Sequence, residues 1–171
     1  MSKIKKTNAM RILDKHHIFY DIKTYEYTEE DLSGIHAAAE VGMPPDKVFK
    51  TLVGRGNVTG PVVFCIPVHK ELDLKKAAHV SANKNVHLIH VKDLLGLTGY
   101  IRGGCSPIGM KKLFPTYIDE TALSVDVFSI SAGQRGLQIL AAPKDIIGLI
   151  DACTADLTVS DIILTDGSVR S

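Results

Sequence analysis

Two apolar runs, VFKTLV at 48–53 and PVVFCIPV at 61–68, stand on either side of GRGN at 54–57. Glycine and asparagine supply the positive φ that tight turns need, so the pattern predicts a β-hairpin. In a strand of period two, Val48, Lys50 and Leu52 share one face while Phe49, Thr51 and Val53 share the other. Both faces read as buried. A chain built on such a hairpin needs further elements to cover each side of it.

The remaining elements alternate irregularly. Ile4, Met10, Leu13 and Ile18 have approximately helical spacing across residues 4–17, and DIKTYEYT at 21–28 alternates like a strand. A helix is predicted from Ser33 as N-cap to Gly42, closed by Pro44 and Pro45. Residues 72–80 are helical in pattern, NVHLIHV at 85–91 reads as a strand, and KDLLGL opens a short helix stopped around Gly96 and Gly99. TYID, SVDVFSI and LQILAA read as strands, and Pro143 introduces a helix, KDIIGLIDAC. Hairpins mixed with βα units favour a mixed α/β or α+β sheet, curled and barrel-like, over a doubly wound parallel one.

The 171 residues carry no repeat or Pro/Gly linker, so residues 1–171 read as a single domain. No apolar run reaches the roughly 20 residues that cross a bilayer, and the N-terminus lacks a signal-peptide core. Cys65, Cys105 and Cys153 are an odd number with no CxxC pair, which argues against a disulfide framework. The cytoplasm is the expected location, with no membrane contact. The net charge is +1, too small for a protein that grips nucleic acid by its backbone alone. Cations are spread along the chain (Lys3, Lys5 and Lys6; Lys75 and Lys76; Arg102, Lys111 and Lys112), and a local basic rim or a solvated surface accounts for them. An RNA partner would have to be recognised locally.

Lys50 is the sharpest chemical feature. Stripping an ammonium of water costs several kcal/mol, so lysine among apolar groups either snorkels to an edge or lines a cavity for a polar ligand. A second feature is the loop GYIRGGCSPIGMKK at 99–112. Gly103 and Gly104 let backbone amides approach a ligand, and Ser106-Pro107 with Gly109 makes a rigid turn. The loop can cradle a carbonyl or ribose, or simply join two strands. The third feature is ISAGQRGLQI at 130–139, where Gly133 and Gly136 permit a turn after Ser131.

Several motifs are excluded. Met110 stands where a P-loop needs lysine, and the glycines at 54, 56 and 60 miss the GxGxxG spacing. His87 and His90 point to opposite faces of a predicted strand, and no other histidine has metal-ligand spacing, so no metal and no cofactor are expected. No GxSxG elbow or Ser-His-Asp or Cys-His constellation is present. Cys65 reads as core, and Cys105 is the one cysteine in a promising loop.

With VFKTLV, LDLKKAA at 72–78, TGYIRGGCSPIG at 98–109 and SAGQRGL at 131–137 in this order, the chain resembles the YbaK/EbsC family over residues 4–160. That family is related to the editing domain of bacterial prolyl-tRNA synthetases. The resemblance implies a barrel-like mixed sheet surrounded by helices. It implies a trans-editing deacylase acting on mischarged Cys-tRNA(Pro), and on Cys-tRNA(Cys) as a further candidate. Lys50, Gly103 and Ser131 are the implied catalytic residues, with Lys50 positioning the 3′ aminoacyl-adenosine end of the tRNA. Tyr25, Thr51, Tyr100, Gly104, Pro107 and Gly133 are the implied substrate-binding residues. Relatives often carry Asp after the RGL, where this chain has Gln138, so a carboxylate role at that place is in doubt.

The resemblance also meets the lack of an enzyme nucleophile. In Cys-tRNA deacylases of this family the substrate's own thiol attacks the ester and releases cysteine thiolactone. The protein then has to exclude water, hold the ester and stabilise the oxyanion. A ternary complex with prolyl-tRNA synthetase and tRNA is the implied setting. Two alternatives stand beside this one: a non-catalytic tRNA- or nucleotide-binding regulator, and a deacylase for Ala- or Ser-tRNA.

Overall fold

The structure is a computed structural model describing residues 5–160, with the backbone of 162–163 and 169–170. Lys3 and Ile4, named above, lie outside the described residues. In chain order the elements are α1 (Asn8–Lys15), β1 (Asp21–Thr24), α2 (Gly34–Val41), β2 (Phe49–Gly56) and β3 (Gly60–Pro67). They continue with α3 (Leu74–Val80), β4 (Val86–Leu88), α4 (Val91–Thr98), β5 (Thr116–Asp119), β6 (Phe128–Ser131), β7 (Leu137–Ala141), α5 (Pro143–Leu149) and β8 (Cys153–Ala155). No helix among the described residues is long and apolar enough to cross a membrane.

The hairpin forms, with β2 and β3 antiparallel from Phe49 opposite Pro67 to Gly56 opposite Gly60. Its turn falls at residues 57–59, so Asn57 alone of the GRGN segment lies in it. Gly54 and Gly56 lie inside β2 because β4 crosses close to them. A Cβ on Gly54 would sit 3.0 Å from Val86 Cγ1, and one on Gly56 would sit 2.2 Å from Asn83 Nδ2. These glycines are small for packing, and Gly60 (φ +70°) supplies the left-handed residue. Asn83, nearly buried, then pins the turn. Its Oδ1 accepts from the Val58 and Thr59 N–H groups at 2.9 and 3.0 Å, and its Nδ2 donates to Ser81 Oγ at 2.8 Å.

Other boundaries shift for local reasons. β1 ends at Thr24 after pairing with β7, one further bond joins Tyr25 N–H to Gly136 O, and the chain then bends into a Thr28–Asp31 bridge. β4 stops at Leu88 and Val91 already begins α4. Gly96 lies within that helix, while Gly99 ends it in the left-handed region. The helix predicted through Cys153 stops at Leu149. Asp151 takes a positive φ of 52°, and Cys153–Ala155 becomes β8, parallel to β5.

The sheets run β4-β2-β3-β5-β8 and β1-β7-β6, with parallel and antiparallel neighbours in the first, so the mixed class stands. Among the described residues a single parallel bridge, Val48 to Ser129, links these two sheets, and the barrel does not close. β3 is covered on both faces. Val63 and Cys65 join α1 residues Met10 and Leu13, with Ile130, Ile139 and Ile146, in one core. Val62, Phe64 and Ile66 join Leu72, Ala77 and Leu157 in another. Phe49 and Phe128 meet edge to face at 5.3 Å, holding β2 to β6.

Because Asn83 bonds the Val58 and Thr59 N–H groups and the Ser81 hydroxyl at a nearly buried site, Asn83→Ala is expected to lower unfolding free energy by about 2–4 kcal/mol. Urea denaturation measures this, and a loss below about 0.5 kcal/mol would remove Asn83 from the account.

Candidate functional site

Along Lys50–Leu52, β2 has a strand neighbour on one side only among the described residues. β6 meets the chain at Val48, β4 pairs at Gly54–Gly56, and Ile89 N–H binds Val53 O at 3.1 Å. The alternation of antiparallel bonding, fixed by Val68 N–H to Val48 O, turns the backbone groups of Lys50 and Leu52 toward β3. Thr51 therefore directs its N–H and C=O to the open side. The gap leads into a cavity of about 490 Å³, a size suited to a small ligand. Residues from both faces of β2 line it, Lys50 and Leu52 from one and Phe49 and Thr51 from the other. The middle of β2 is half-exposed for this reason, where the alternation alone suggested burial on both sides.

Lys50 is half-buried and makes no hydrogen bond or ion pair among the described residues. Burial lowers its pKa from the ordinary 10.5, and the more distant Glu71 carboxylate opposes that shift. Its face of the strand is roofed by the first turn of α2. Ser33 caps that helix by accepting from His36 N–H, and Gly34 follows. A Cβ on Gly34 would stand 2.3 Å from Val68 Cγ1, so glycine is what lets the helix settle beside Lys50.

The two glycine loops form the opposite wall. Gly103, at φ +84°, lines the cavity against Leu32. Gly104, Pro107, Tyr100 and Gly133 stand behind the lining. A Cβ on Gly104 would meet Arg135 N at 2.9 Å, and one on Gly133 would meet Tyr100 Cε1 at 2.8 Å. The Tyr100 hydroxyl donates to Ile108 O at 2.5 Å, and Arg135 Nε donates to Arg102 O at 2.8 Å. These residues brace the loops against each other. Ser131 and Tyr25 do line the cavity; Ser131 Oγ accepts from Gly133 N–H at 3.2 Å, and Tyr25 lies edge-on to His36. Of the nine residues singled out in the sequence, Tyr25, Lys50, Thr51, Gly103 and Ser131 meet at the cavity.

Sequence reasoning missed Gly34, Ile89 and His90 as lining residues, and it weighed Arg102 as part of a basic rim or a solvated surface, not as lining. A glycine in the first turn of a helix, where propensity disfavours it, was the available signal for Gly34. The described lining contains Lys50, Arg102 and His90 but no carboxylate. Cys105 is also part of it, and burial pushes its thiol up to about 12, as it does for Cys65 behind it. Both are neutral thiols near pH 7 and poor nucleophiles.

The family model of the aminoacyl-tRNA editing domain matches residues 30–149, which hold the whole cavity lining except Tyr25. The chain belongs to the aminoacyl-tRNA editing domain family. It is 48% identical over 157 residues, 92% of this chain and 96% of the relative, to Enterococcus faecalis EbsC, assigned as a Cys-tRNA(Pro)/Cys-tRNA(Cys) deacylase. Two solved structures share its fold. One, assigned as a trans-editing enzyme for prolyl-tRNA synthetase, has a TM-score of 0.76 at 24% identity, covering 91% of this chain and all of its own. The hypothetical protein APE2540 has a TM-score of 0.79 at 20% identity, covering 87% and 97%.

An editing domain that keeps an unpaired ammonium in a half-buried cavity gives up stability for it. Lys50→Met should melt at the same temperature as the native protein or up to about 5 °C higher. A lowered folded-state pKa means the folded form binds fewer protons than the unfolded form between that pKa and 10.5. Native stability therefore rises with pH through that window, and the advantage of Lys50→Met shrinks. Calorimetry across alkaline pH checks this; a gap that widens with pH contradicts it.

Proposed function

We propose that this editing domain is a cytoplasmic trans-editing deacylase that clears Cys-tRNA(Pro), and also Cys-tRNA(Cys), in the service of translation fidelity. The whole chain, 1–171, acts as one unit on the 3′ aminoacyl-adenosine end. The observation that carries this reading is the cavity's composition: an unpaired lysine, Arg102 and His90, hydroxyl and backbone donors, one neutral thiol, and no carboxylate in the described lining. Such a site holds a polar ester but lacks a paired nucleophile and base. A substrate that brings its own nucleophile suits it.

In this scheme the cysteinyl thiol sulfur bonds to the ester carbonyl carbon. The carbon–oxygen bond to the ribose then breaks, and the thiol proton ends on the departing ribose oxygen. The products are uncharged tRNA and cysteine thiolactone, which water opens afterwards. Formally the release is of the elimination type and not a water attack. Lys50 anchors the substrate end, Gly103 and Ser131 flank the reacting ester, and Thr51 and Tyr25 bound the cavity. Gly104, Pro107, Tyr100 and Gly133 serve binding by keeping both loops in shape. A separate editing protein is needed because a synthetase pocket rejects a smaller side chain by only about 10–200-fold. The net charge of +1 leaves much of the tRNA grip to a partner, and a ternary complex with prolyl-tRNA synthetase supplies it.

The test is turnover on a panel of Cys-, Ala- and Ser-charged tRNAs, with and without prolyl-tRNA synthetase. Cys-tRNA(Pro) should be cleared, Ser-tRNA should be slower by at least about 10²-fold, and Lys50→Ala should abolish clearance. Equal rates on Ser- and Cys-tRNA, or full activity in Lys50→Ala, would sink the proposal.

A further inference from the structure

Gln138, a polar side chain of the described cavity lining, is almost wholly buried and yet incompletely bonded. It lies on β7 opposite Ser131 of β6 and is 5% exposed. Its Oε1 accepts from the hydroxyl of Ser129, itself fully buried, at 2.7 Å. That bond fixes the amide plane. Nε2 has no acceptor among the described residues, and every described side-chain nitrogen or oxygen sealed from solvent does have a partner. Nε2 is therefore open to the cavity that Gln138 lines. An amide donor held by a second buried side chain, with nothing to donate to, calls for an acceptor on the ligand.

We propose that Gln138 is a catalytic residue of the editing reaction: its side-chain amide donates to the carbonyl oxygen of the aminoacyl ester. The inference rests on the deacylase reading above and adds the group that receives the developing negative charge. An aminoacyl ester offers two kinds of polar group to this wall. Its amine and its thiol seek acceptors, and the acceptor end of Gln138 is already taken by Ser129. Its carbonyl oxygen seeks donors, and Nε2 supplies two. As the sulfur adds to the carbonyl carbon, that oxygen becomes an oxyanion, and a preorganised donor in a half-dry cavity gains strength there without having to reorient. The same bond exists in the ground state but is stronger in the transition state, so its loss falls mainly on kcat.

Gln138→Glu separates this role from a structural one. The glutamate keeps an oxygen for the Ser129 hydroxyl and nearly the same shape, but as a carboxylate it has no donor. Steady-state deacylation of Cys-tRNA(Pro) should show kcat lower by about 10²-fold at about pH 8, with KM changed less than about threefold. Normalised to the native protein at each pH, activity should recover as the carboxyl gains a proton toward about pH 4.5 and regains a donor. Gln138→Met, of similar volume and without a donor, should lose as much with no recovery, and melting curves show whether each variant is folded. Gln138→Glu within about threefold of native at pH 8, or a loss that no acidification restores, would overturn the inference and leave the deacylase reading intact. An unmodified protein that clears none of the charged tRNAs sinks both.

Discussion

The site depends on an interrupted strand edge. β2 is shared by β6 at one end and β4 at the other, and neither reaches its middle. An unpaired backbone edge inside a protein is costly unless a ligand or water takes its bonds, and natural folds usually cover it. Here the two ends are held firmly, by Phe49 against Phe128 and by the glycines that let β4 approach. The gap cannot close without undoing those contacts. Residues that a simple pleat would send to opposite sides therefore meet at one opening.

The electrostatics follow from the same opening. A lysine enclosed on both faces would be neutral or paired; at the gap Lys50 is only half-buried, and burial pulls its pKa down from the ordinary value. The described lining adds arginine and imidazole and no acid. That composition suits an ester whose carbonyl must be polarised and whose ribose end is flanked by phosphate.

Much of this was legible in the residues. The hairpin, the Ser33–Gly42 helix and Lys50 as a misfit charge all follow from short-range patterns of polarity and turn chemistry. What the pattern could not carry was long-range approach. Gly54 and Gly56 look like turn residues until β4 and Asn83 are seen against them. Tyr100 and Gly133 show nothing in the sequence of how closely they pack, yet a Cβ on Gly133 would meet Tyr100 Cε1 at 2.8 Å. β8, three residues long, has too little sequence to show a period. Gln138 stood as a departure from its relatives, and only the partnership with Ser129 across β6 and β7 gives it a direction.

The central claim is that the gap in β2 receives the aminoacyl end of the substrate. The most direct measurement is a backbone amide titration by NMR with a non-hydrolysable cysteinyl-adenosine amide. The account predicts that the Thr51 amide, which points into the gap, shifts most and gains protection from exchange, together with Gly103 and Ser131. Shifts confined to the cavity beside α1, lined by Met10, Phe19 and Ile22, with Thr51 unmoved, would contradict it.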